Sequence, residues 1–229
     1  MARTVLITGG TGFLGEGVVE RYLEDGWRVV VPWVVESEVP RLRDRVGDPD
    51  ALTLVRADVT DPQGVADALG AADAIHAGVL LVGGFAMAPL AETDPETWQR
   101  MVALNATSLF QVTRQLLPRL AANEDGGSVV TVAAEPALDR GAEGMGAYAA
   151  TKAAVVSLTR TLAAEGAEGG VNVNAIAPRI IDTPANRTSM PDADTSTWLK
   201  PREIARVVAF LTSEAGRIVN GSVLTLNRG

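Results

Sequence analysis

Short apolar runs alternate with amphipathic segments along the whole chain. The runs are rich in β-branched residues and predict strands at residues 5–8, 28–33, 52–57, 79–82, 128–133, 171–177 and 222–226. Between them, apolar residues recur at helical spacing and predict helices at residues 17–25, 41–46, 63–76, 95–120, 146–165 and 201–212. Strands that alternate with helices are joined by right-handed crossovers, and strands that are apolar throughout are typical of burial on both faces. We therefore predict an α/β fold, a doubly wound parallel sheet of about seven strands with helices on both faces.

The organisation of the chain is simple. Its 229 residues are typical of one domain, and it shows neither an internal repeat nor a linker. We therefore predict a single domain over residues 1–229. Residues 183–200 are rich in Thr, Ser, Pro and Asp, and a loop of this length is more typical of an active-site flap than of a tether.

Composition excludes several classes of function. The 20 basic and 28 acidic residues leave a net charge of −8, which disfavours nucleic-acid binding. The sequence has no cysteine and a single histidine, His76, which excludes disulfides, thiol catalysis and a Ser-His-Asp triad, and we predict no metal site. His76 ends a predicted helix, where we expect it to interact with the terminal carbonyls. No apolar run could span a membrane and no secretory signal is recognisable, so we expect a cytoplasmic protein without membrane contact.

The first strand leads into a glycine-rich stretch, TGGTGFLG at residues 8–15, which opens a helix. Gly9, Gly12 and Gly15 fall three residues apart between the strand and the helix. Such a turn lets the backbone approach a pyrophosphate, whose charge is met by the amides at the helix N-terminus. The alternative is an ordinary tight turn. The strand–turn–helix context favours dinucleotide binding.

The end of the second strand usually decides between NAD(H) and NADP(H). An acidic residue there binds the adenosine ribose diol, and a basic residue favours the 2′-phosphate. Trp33 stands at this position and either packs on the adenosine or belongs to the core. Glu36 is a late candidate acid, whereas Arg41 and Arg43 lie too far into the next helix. Asp58, after the third strand, either accepts a bond from the adenine amino group or caps the next turn, and the cofactor preference stays open.

A tyrosine and a lysine, Tyr148 and Lys152, stand four residues apart on a predicted helix and so share one face. An ammonium beside a phenol stabilises the phenolate and lowers the phenol pKa from about 10. Such a phenol is a usable general acid near neutral pH, and the same lysine can bond the hydroxyls of the nicotinamide ribose. Alone, a pair at this spacing is usually a surface pair, but here it follows a nucleotide-binding turn and a fifth strand.

This ordered set of motifs resembles the short-chain dehydrogenase/reductase family over essentially the whole chain. The set comprises TGGTGFLG, Asp58, Asn105 in LNATSLF, the Tyr148/Lys152 pair, and Pro178 with Thr183. The resemblance implies a Rossmann-type fold, an NAD(H) or NADP(H) cofactor and hydride transfer to or from a small molecule. It implies that Tyr148 exchanges a proton with the substrate oxygen, that Lys152 holds the ribose, that Asn105 holds a relay water, and that Thr183 bonds the carboxamide. Further cofactor contacts implied by the resemblance are Thr11, Phe13, Leu14, Val59, Gly83, Gly84, Pro178 and Ile181.

The sequence departs from the family at three places. The glycine spacing resembles the extended branch, whereas the length and the later motifs resemble the compact branch. The Asn-Ala-Gly expected after the fourth strand reads Val82-Gly83-Gly84. Ala134 occupies the position of the catalytic serine, and Thr131, the nearest hydroxyl, is expected to be buried in the strand. Deleting one preorganised donor commonly costs about 10²–10³ in rate.

One branch of the family, the dihydropteridine reductases, also has an apolar residue at the serine position. The local resemblance includes Leu138-Asp139, VVE at residues 34–36, and the segment 182–198, and it fails at Trp33. Within that segment, Arg187 either orders the flap by pairing with aspartates or lines a substrate cavity with Met190 and Trp198.

Two functions stay open on these observations. The leading one is an NAD(P)(H)-dependent reductase of a carbonyl or a quinonoid pterin-like substrate, with Tyr148 as general acid. The alternative is a catalytically weakened NAD(P)-binding sensor or scaffold. The resemblance also implies a homodimer or homotetramer built on the helices predicted at 95–120 and 146–165.

Overall fold

The predicted α/β class is confirmed by the computed structural model, which describes residues 2–138 and 142–228. Its strands form one sheet of seven members. They are β1 Thr4–Thr8, β2 Arg28–Trp33, β3 Leu52–Arg56, β4 Ala77–Leu80, β5 Gly127–Val132, β6 Val171–Pro178 and β7 Val223–Leu226. Each agrees with a predicted strand to within two residues, because twice-buried strands are apolar throughout.

The strand order is β3-β2-β1-β4-β5-β6-β7, and every neighbouring pair is parallel. The chain moves outward from β1 to β3, returns to the other side of β1 at β4, and then moves outward to β7. This reversal leaves a crevice at the carboxyl ends of β1 and β4, which is where open parallel sheets bind their ligands.

Eight α-helices cover the sheet in the described part of the chain. They are α1 Phe13–Glu24, α2 Val39–Val46, α3 Pro62–Gly70, α4 Pro95–Val102, α5 Ser108–Ala121, α6 Gly146–Gly166, α7 Pro184–Ser189 and α8 Pro201–Leu211. Alternate side chains of β1 point to opposite faces, so Leu6 joins a core shared with α3, α5 and α6. Val5 and Ile7 join a second core shared with α1, α2 and α8.

Three helix predictions were wrong in length, and the first is that of α1, which begins at Phe13, four residues before its predicted start. The helix predicted over residues 95–120 is interrupted by a wider π-helical turn, Ala103–Thr107, between α4 and α5. The helix predicted over 63–76 ends at Gly70, and β4 begins at Ala77. Pairing of β4 with β1 requires this early end, because Val5 lies opposite Ala77.

The expected interaction of His76 with the carbonyls at a helix end is not found among the described residues. Its Nδ1 accepts the backbone N–H of Thr4 at 3.0 Å, at the amino end of the sheet and so opposite the ligand crevice. Burial and the nearby Arg3 guanidinium lower the pKa of His76, which keeps Nδ1 free to accept. The histidine therefore joins the starts of β1 and β4.

No helix within residues 2–138 and 142–228 combines the length and the hydropathy needed to cross a membrane.

Candidate active site

The glycine-rich turn lies at the carboxyl end of β1, and its backbone geometry favours glycine at Gly9 and Gly15. Gly9 has a φ of +68°, a backbone conformation that side chains disfavour. A Cβ on Gly15 would lie 2.1 Å from the carbonyl oxygen of Gly9. The turn therefore packs tightly against the start of α1, and Gly12, which directly precedes that helix, lines the crevice. This cradle fits a pyrophosphate held by backbone amides.

The crevice continues from this turn along the ends of β2 and β3. Its lining includes the turn glycines Gly9 and Gly12, together with Trp33, Asp58 and Val59. Trp33 is half-buried, and the Arg56 guanidinium lies 5.9 Å from its ring centroid. The Oδ1 of Asp58 accepts bonds from Thr60 N at 2.8 Å and Thr60 Oγ1 at 2.7 Å. The carboxylate thus caps the following turn while facing the crevice, so the two alternatives for Asp58 are compatible.

Three charged residues whose roles the sequence motifs do not indicate support this end of the site. Arg41, expected to lie too far away, donates from Nη2 to the carbonyl oxygen of Thr11 at 2.7 Å. Its Nε bonds the buried carboxylate of Glu16, and its guanidinium lies 4.0 Å from the ring centroid of Phe13. Glu38 lines the crevice and accepts a bond from Thr11 Oγ1 at 2.6 Å, whereas Glu36 is exposed outside the crevice lining.

A sequence signal for this group did exist. Glu16 stands in the first turn of α1, beside small and apolar residues that face the core, and a carboxylate buried there requires a partner. Arg41 is the residue that the fold brings to it.

Tyr148 and Lys152 share one face of α6, as their spacing predicts. The Lys152 Nζ lies 6.0 Å from the Tyr148 ring centroid and donates to the carbonyl oxygen of Val132 at 2.8 Å. Burial lowers the pKa of Lys152 to about 8, because the apolar surroundings penalise the ammonium.

The pKa of Tyr148 departs from its usual value in the direction opposite to the one expected. Burial raises it, since the phenolate is penalised as the ammonium is, and at this separation the lysine does not outweigh desolvation. The phenol therefore stays protonated at neutral pH in this structure.

Asn105 lies in the π-helical turn and is buried. Its Oδ1 accepts from Gly84 N at 3.0 Å, and its Nδ2 donates to Gly84 O at 3.1 Å and to Thr151 Oγ1 at 3.0 Å. A Cβ on Gly83 would lie 2.8 Å from Asn105 Oδ1 and 3.0 Å from Lys152 Nζ. The amide thus ties the glycines after β4 to α6 and stands close to the lysine.

Ala134 follows β5 in an extended conformation and is 4% exposed. Thr131 is fully buried and shares a hydrogen bond of 2.7 Å with Thr159, so it offers no hydroxyl to a substrate. Glu135, which follows Ala134, forms an ion pair with Arg179 at 3.4 Å. Arg179 comes directly after Pro178, the last residue of β6. An ion pair therefore bridges the ends of β5 and β6 beside Ala134.

The segment predicted to be a flap folds into α7 and a short turn before α8. Thr183 caps α7 by accepting from Asn186 N at 3.2 Å, and Asn186 Nδ2 donates to Ile181 O at 2.7 Å. Arg187 is paired with Asp182 through bonds of 2.6 and 2.9 Å, which lower the pKa of the Asp182 carboxyl. These contacts match the ordering role considered for Arg187.

The other expected substrate residues differ in access. Met190 is half-buried at the end of α7, whereas Trp198 is only 3% exposed. Asp139, part of the local resemblance noted above, lies outside the described residues.

An apolar segment lies against the start of α6. The ring of Phe85 contacts Tyr148 edge to face, with 5.0 Å between centroids. Phe85, Met87 and Leu90 are each more than half exposed, and Ala88 N donates to Gly144 O at 2.8 Å. We call residues 85–90 the apolar wall. It leaves the phenol beside an exposed hydrophobic surface.

Together these residues offer a protonated phenol, a neighbouring ammonium and a closed backbone cradle at one edge of the sheet. Within the described residues no group of three or more carboxylate or histidine side chains is placed to hold a metal ion. The arrangement suits proton exchange at a substrate next to a bound dinucleotide.

Known proteins match the chain over nearly its full length. The model of a family described as short chain dehydrogenase matches residues 3–194. The 3beta-hydroxysteroid dehydrogenase 2 of Eggerthella lenta is 30% identical over 250 aligned residues, covering 99% of this chain and 94% of the relative. The crystal structure of levodione reductase superposes with a TM-score of 0.89 at 28% identity, covering 98% of this chain and 96% of that chain. The crystal structure of the 3-ketoacyl-(acyl-carrier-protein) reductase from Brucella melitensis, complexed with NADH, superposes with a TM-score of 0.88 at 28% identity. The match covers 99% of this chain and 97% of that chain.

The hydrogen bonds of Asn105 predict a structural role that can be measured. Replacing Asn105 by Ala removes the partner of both backbone groups of Gly84, and we expect the free energy of unfolding to fall by about 1–3 kcal/mol. Thr151→Val is the matched control, because it removes only one of the amide's bonds, and we expect a loss of about 1 kcal/mol or less. Urea unfolding followed by circular dichroism measures both. Equal losses in the two variants would contradict this assignment.

Burial of Lys152 predicts a pH-dependent stability. The pKa is about 8 in the folded chain against 10.5 in the reference state, so between these values the unfolded chain binds more protons. Burial of the charged ammonium therefore destabilises the fold fully below about pH 8, and this destabilisation disappears as the pH rises towards 10.5. The stability of the wild type relative to Lys152→Met should therefore rise with pH across this window, by at most about 3 kcal/mol.

The measurement is urea unfolding at a series of pH values between neutrality and the upper end of this window. The only other lysine, the exposed Lys200, provides the control, since Lys200→Met should show no such trend. A flat difference for Lys152→Met would show that this ammonium is not desolvated.

Proposed function

The chain belongs to the short chain dehydrogenase family, and from this premise we propose that it is an NAD(P)(H)-dependent oxidoreductase acting on a carbonyl or a quinonoid, pterin-like group. The observation that carries the proposal is the position of Tyr148 and Lys152 on one face of α6, with the Lys152 ammonium beside Gly83 in the segment that follows β4. This edge of the sheet also holds the glycine cradle, which supports the proposal that the proton donor acts next to a bound dinucleotide.

The cofactor is a proposal that the cradle supports. The backbone of Gly9 to Gly15 would hold the pyrophosphate, and the ends of β2 and β3 would enclose the adenosine. Lys152, Pro178, Ile181 and Thr183 would surround the nicotinamide end, as the family resemblance implies. When bound, the nicotinamide supplies or accepts a hydride.

Tyr148 performs the proton step in this proposal. Its O–H bond breaks as the substrate oxygen or nitrogen takes the proton, and the electron pair stays on the phenolate. The ammonium of Lys152 on the same helix face stabilises that phenolate. In the reverse direction the phenolate takes the proton back from the substrate alcohol or amine. Asn105 positions this pair by holding Gly84 and Thr151.

The substrate class follows from what surrounds the phenol. The serine hydroxyl that would help to polarise a simple carbonyl is replaced by Ala134, so a substrate that needs little polarisation is favoured. A conjugated imine in a quinonoid ring meets this condition, because its ring delocalises developing charge. The apolar wall offers Phe85 and Met87 as a surface for a planar ring. Simple ketones would react more slowly.

The second candidate is a sensor or scaffold that binds NAD(P) without turnover. Ala134 and the Val82-Gly83-Gly84 sequence favour it, since each replaces a polar group of the family pattern. The intact grouping of Tyr148, Lys152 and Asn105 argues against it, because binding alone needs no proton donor.

Assembly into a homodimer or homotetramer is part of the proposal. The outward sides of α5 and α6 carry the exposed Phe110 and the exposed Ala153, which would allow close packing of a second copy. Analytical ultracentrifugation would report the state directly.

Tyr148→Phe is the direct test of the proton step. General acid catalysis contributes about 10²–10⁴ in rate, so we expect the variant to lose turnover by that factor while NADH and NADPH affinities stay within about twofold. Turnover is followed by absorbance of the reduced cofactor over a panel of cyclic ketones and a quinonoid dihydropterin. The chain's other tyrosine supplies a matched control, because Tyr22 is buried against Thr212 on the opposite face of the sheet. Tyr22→Phe should keep its turnover.

Full activity in Tyr148→Phe would overturn the mechanism. Cofactor binding by the wild type without turnover of any panel member would favour the sensor.

Ala134→Ser tests whether the missing hydroxyl limits carbonyl reduction. A restored donor should raise kcat for ketones by about 10- to 100-fold and leave the quinonoid rate nearly unchanged. Ala137→Ser, on the half-buried turn that follows, is the control and should change neither rate. A folded Ala134→Ser variant with an unchanged ketone rate would contradict the proposed role of this position.

A further inference from the structure

We infer that Glu38 reads the adenosine ribose and makes the protein select NAD(H) over NADP(H). This inference rests on the proposed dinucleotide site and adds the one choice that the sequence leaves open. Glu38 ends the short 3₁₀ turn Glu36–Glu38, five positions beyond Trp33, where the sequence lacks the usual acidic or basic residue. In the structure, the carboxylate of Glu38 lies in the same crevice as Trp33, although Glu38 comes later in the sequence.

The geometry of Glu38 fits a ribose contact. Its side chain lines the crevice together with Trp33, Asp58 and the glycine turn. One carboxylate oxygen, Oε2, accepts from Thr11 Oγ1 at 2.6 Å, which fixes the group against the cradle. Glu38 is half-buried, so the carboxylate still faces the crevice and can accept from a ribose hydroxyl. A ribose diol donates two such bonds, whereas a 2′-phosphate donates none at that position and adds negative charge.

The charges around Glu38 favour the diol as well. In the described part of the chain no Lys, Arg or His nitrogen lies within ion-pair distance of its carboxylate. Arg41, the nearest candidate for a 2′-phosphate, is instead bound to Glu16 and to the carbonyl oxygen of Thr11. Its guanidinium also covers the Phe13 ring. The cation is therefore compensated internally, and the crevice presents an anion where the 2′-phosphate would lie.

One cation near the crevice, Arg56, favours the 2′-phosphate of NADP(H) instead. Arg56 is exposed at the end of β3, with its guanidinium 5.9 Å from the Trp33 ring centroid. Among the described residues it pairs with no carboxylate, so it is the residue that would hold a 2′-phosphate if the inference is wrong. Arg43 and Arg45, on α2, are occupied by Asp48 and Glu20. The test therefore sets Glu38 against Arg56.

The experiment measures dissociation constants of NADH and NADPH by calorimetry, with thermal unfolding to confirm that each variant folds. The wild type should bind NADH at least about tenfold more tightly than NADPH, because hydrogen bonds to a charged group and like-charge repulsion act together. Glu38→Gln should bring the two constants to within about threefold, by weakening NADH and tightening NADPH. Glu36→Gln, on the same turn but outside the crevice, is the matched control and should leave the ratio unchanged.

A second measurement needs no substitution. An NADH analogue that lacks the adenosine 2′-hydroxyl should bind the wild type about tenfold more weakly than NADH, since the carboxylate loses a donor. The analogue and NADH should bind Glu38→Gln nearly equally. This arm stays decisive even if Glu38→Gln does not fold.

Three outcomes would overturn the inference. They are a wild type that prefers NADPH, a Glu38→Gln variant with the wild-type ratio, and an analogue that binds as tightly as NADH. If Arg56→Gln abolishes a preference for NADPH, the discrimination belongs to Arg56. A wild type that binds neither dinucleotide refutes the proposed function itself, whereas tight binding that is independent of Glu38 refutes only this inference.

Discussion

Parallel pairing of every strand is the constraint on which the rest of this structure depends. It brings the carboxyl ends of all the strands to one edge of the sheet. Residues that follow different strands therefore lie close together there, although they are far apart in sequence. The glycine cradle follows β1, Gly83 follows β4 and Ala134 follows β5. The reversal of strand order at β1 and β4 opens the crevice between them, and α6 delivers Tyr148 to the same edge.

Close backbone approach is the second requirement, and it explains why glycines stand where they do. Gly83 leaves room for Asn105 Oδ1 and Lys152 Nζ, which a Cβ would approach to 2.8 and 3.0 Å. The π-helical turn serves the same end, since it turns the Asn105 amide onto both backbone groups of Gly84. The π-helical turn thus holds the glycines after β4 and the helix α6 together next to Lys152.

The strands and most helices were predictable because each is encoded locally, by apolar runs or helical periodicity. The π-helical turn was not, because one extra residue in a turn barely changes that periodicity. Glu38 and Arg41 escaped for a different reason. Their roles depend on how α2 packs against the glycine turn and on the burial of Glu16, which are tertiary facts. Likewise the direction of the Tyr148 pKa depends on burial, which the spacing of Tyr148 and Lys152 does not report.

The opposite pKa shifts of Tyr148 and Lys152 have a common cause and a chemical consequence. Burial penalises an isolated phenolate and an isolated ammonium, which raises the pKa of Tyr148 and lowers that of Lys152 to about 8. The same burial penalises a phenolate beside an ammonium less, because the pair is neutral as a whole. The phenol therefore rests protonated, and in the proposed proton step the phenolate would form on the same helix face as a positive charge. Desolvation of this kind keeps the Tyr148 phenol protonated at neutral pH, and in the proposed mechanism the phenolate would depend on the ammonium of Lys152.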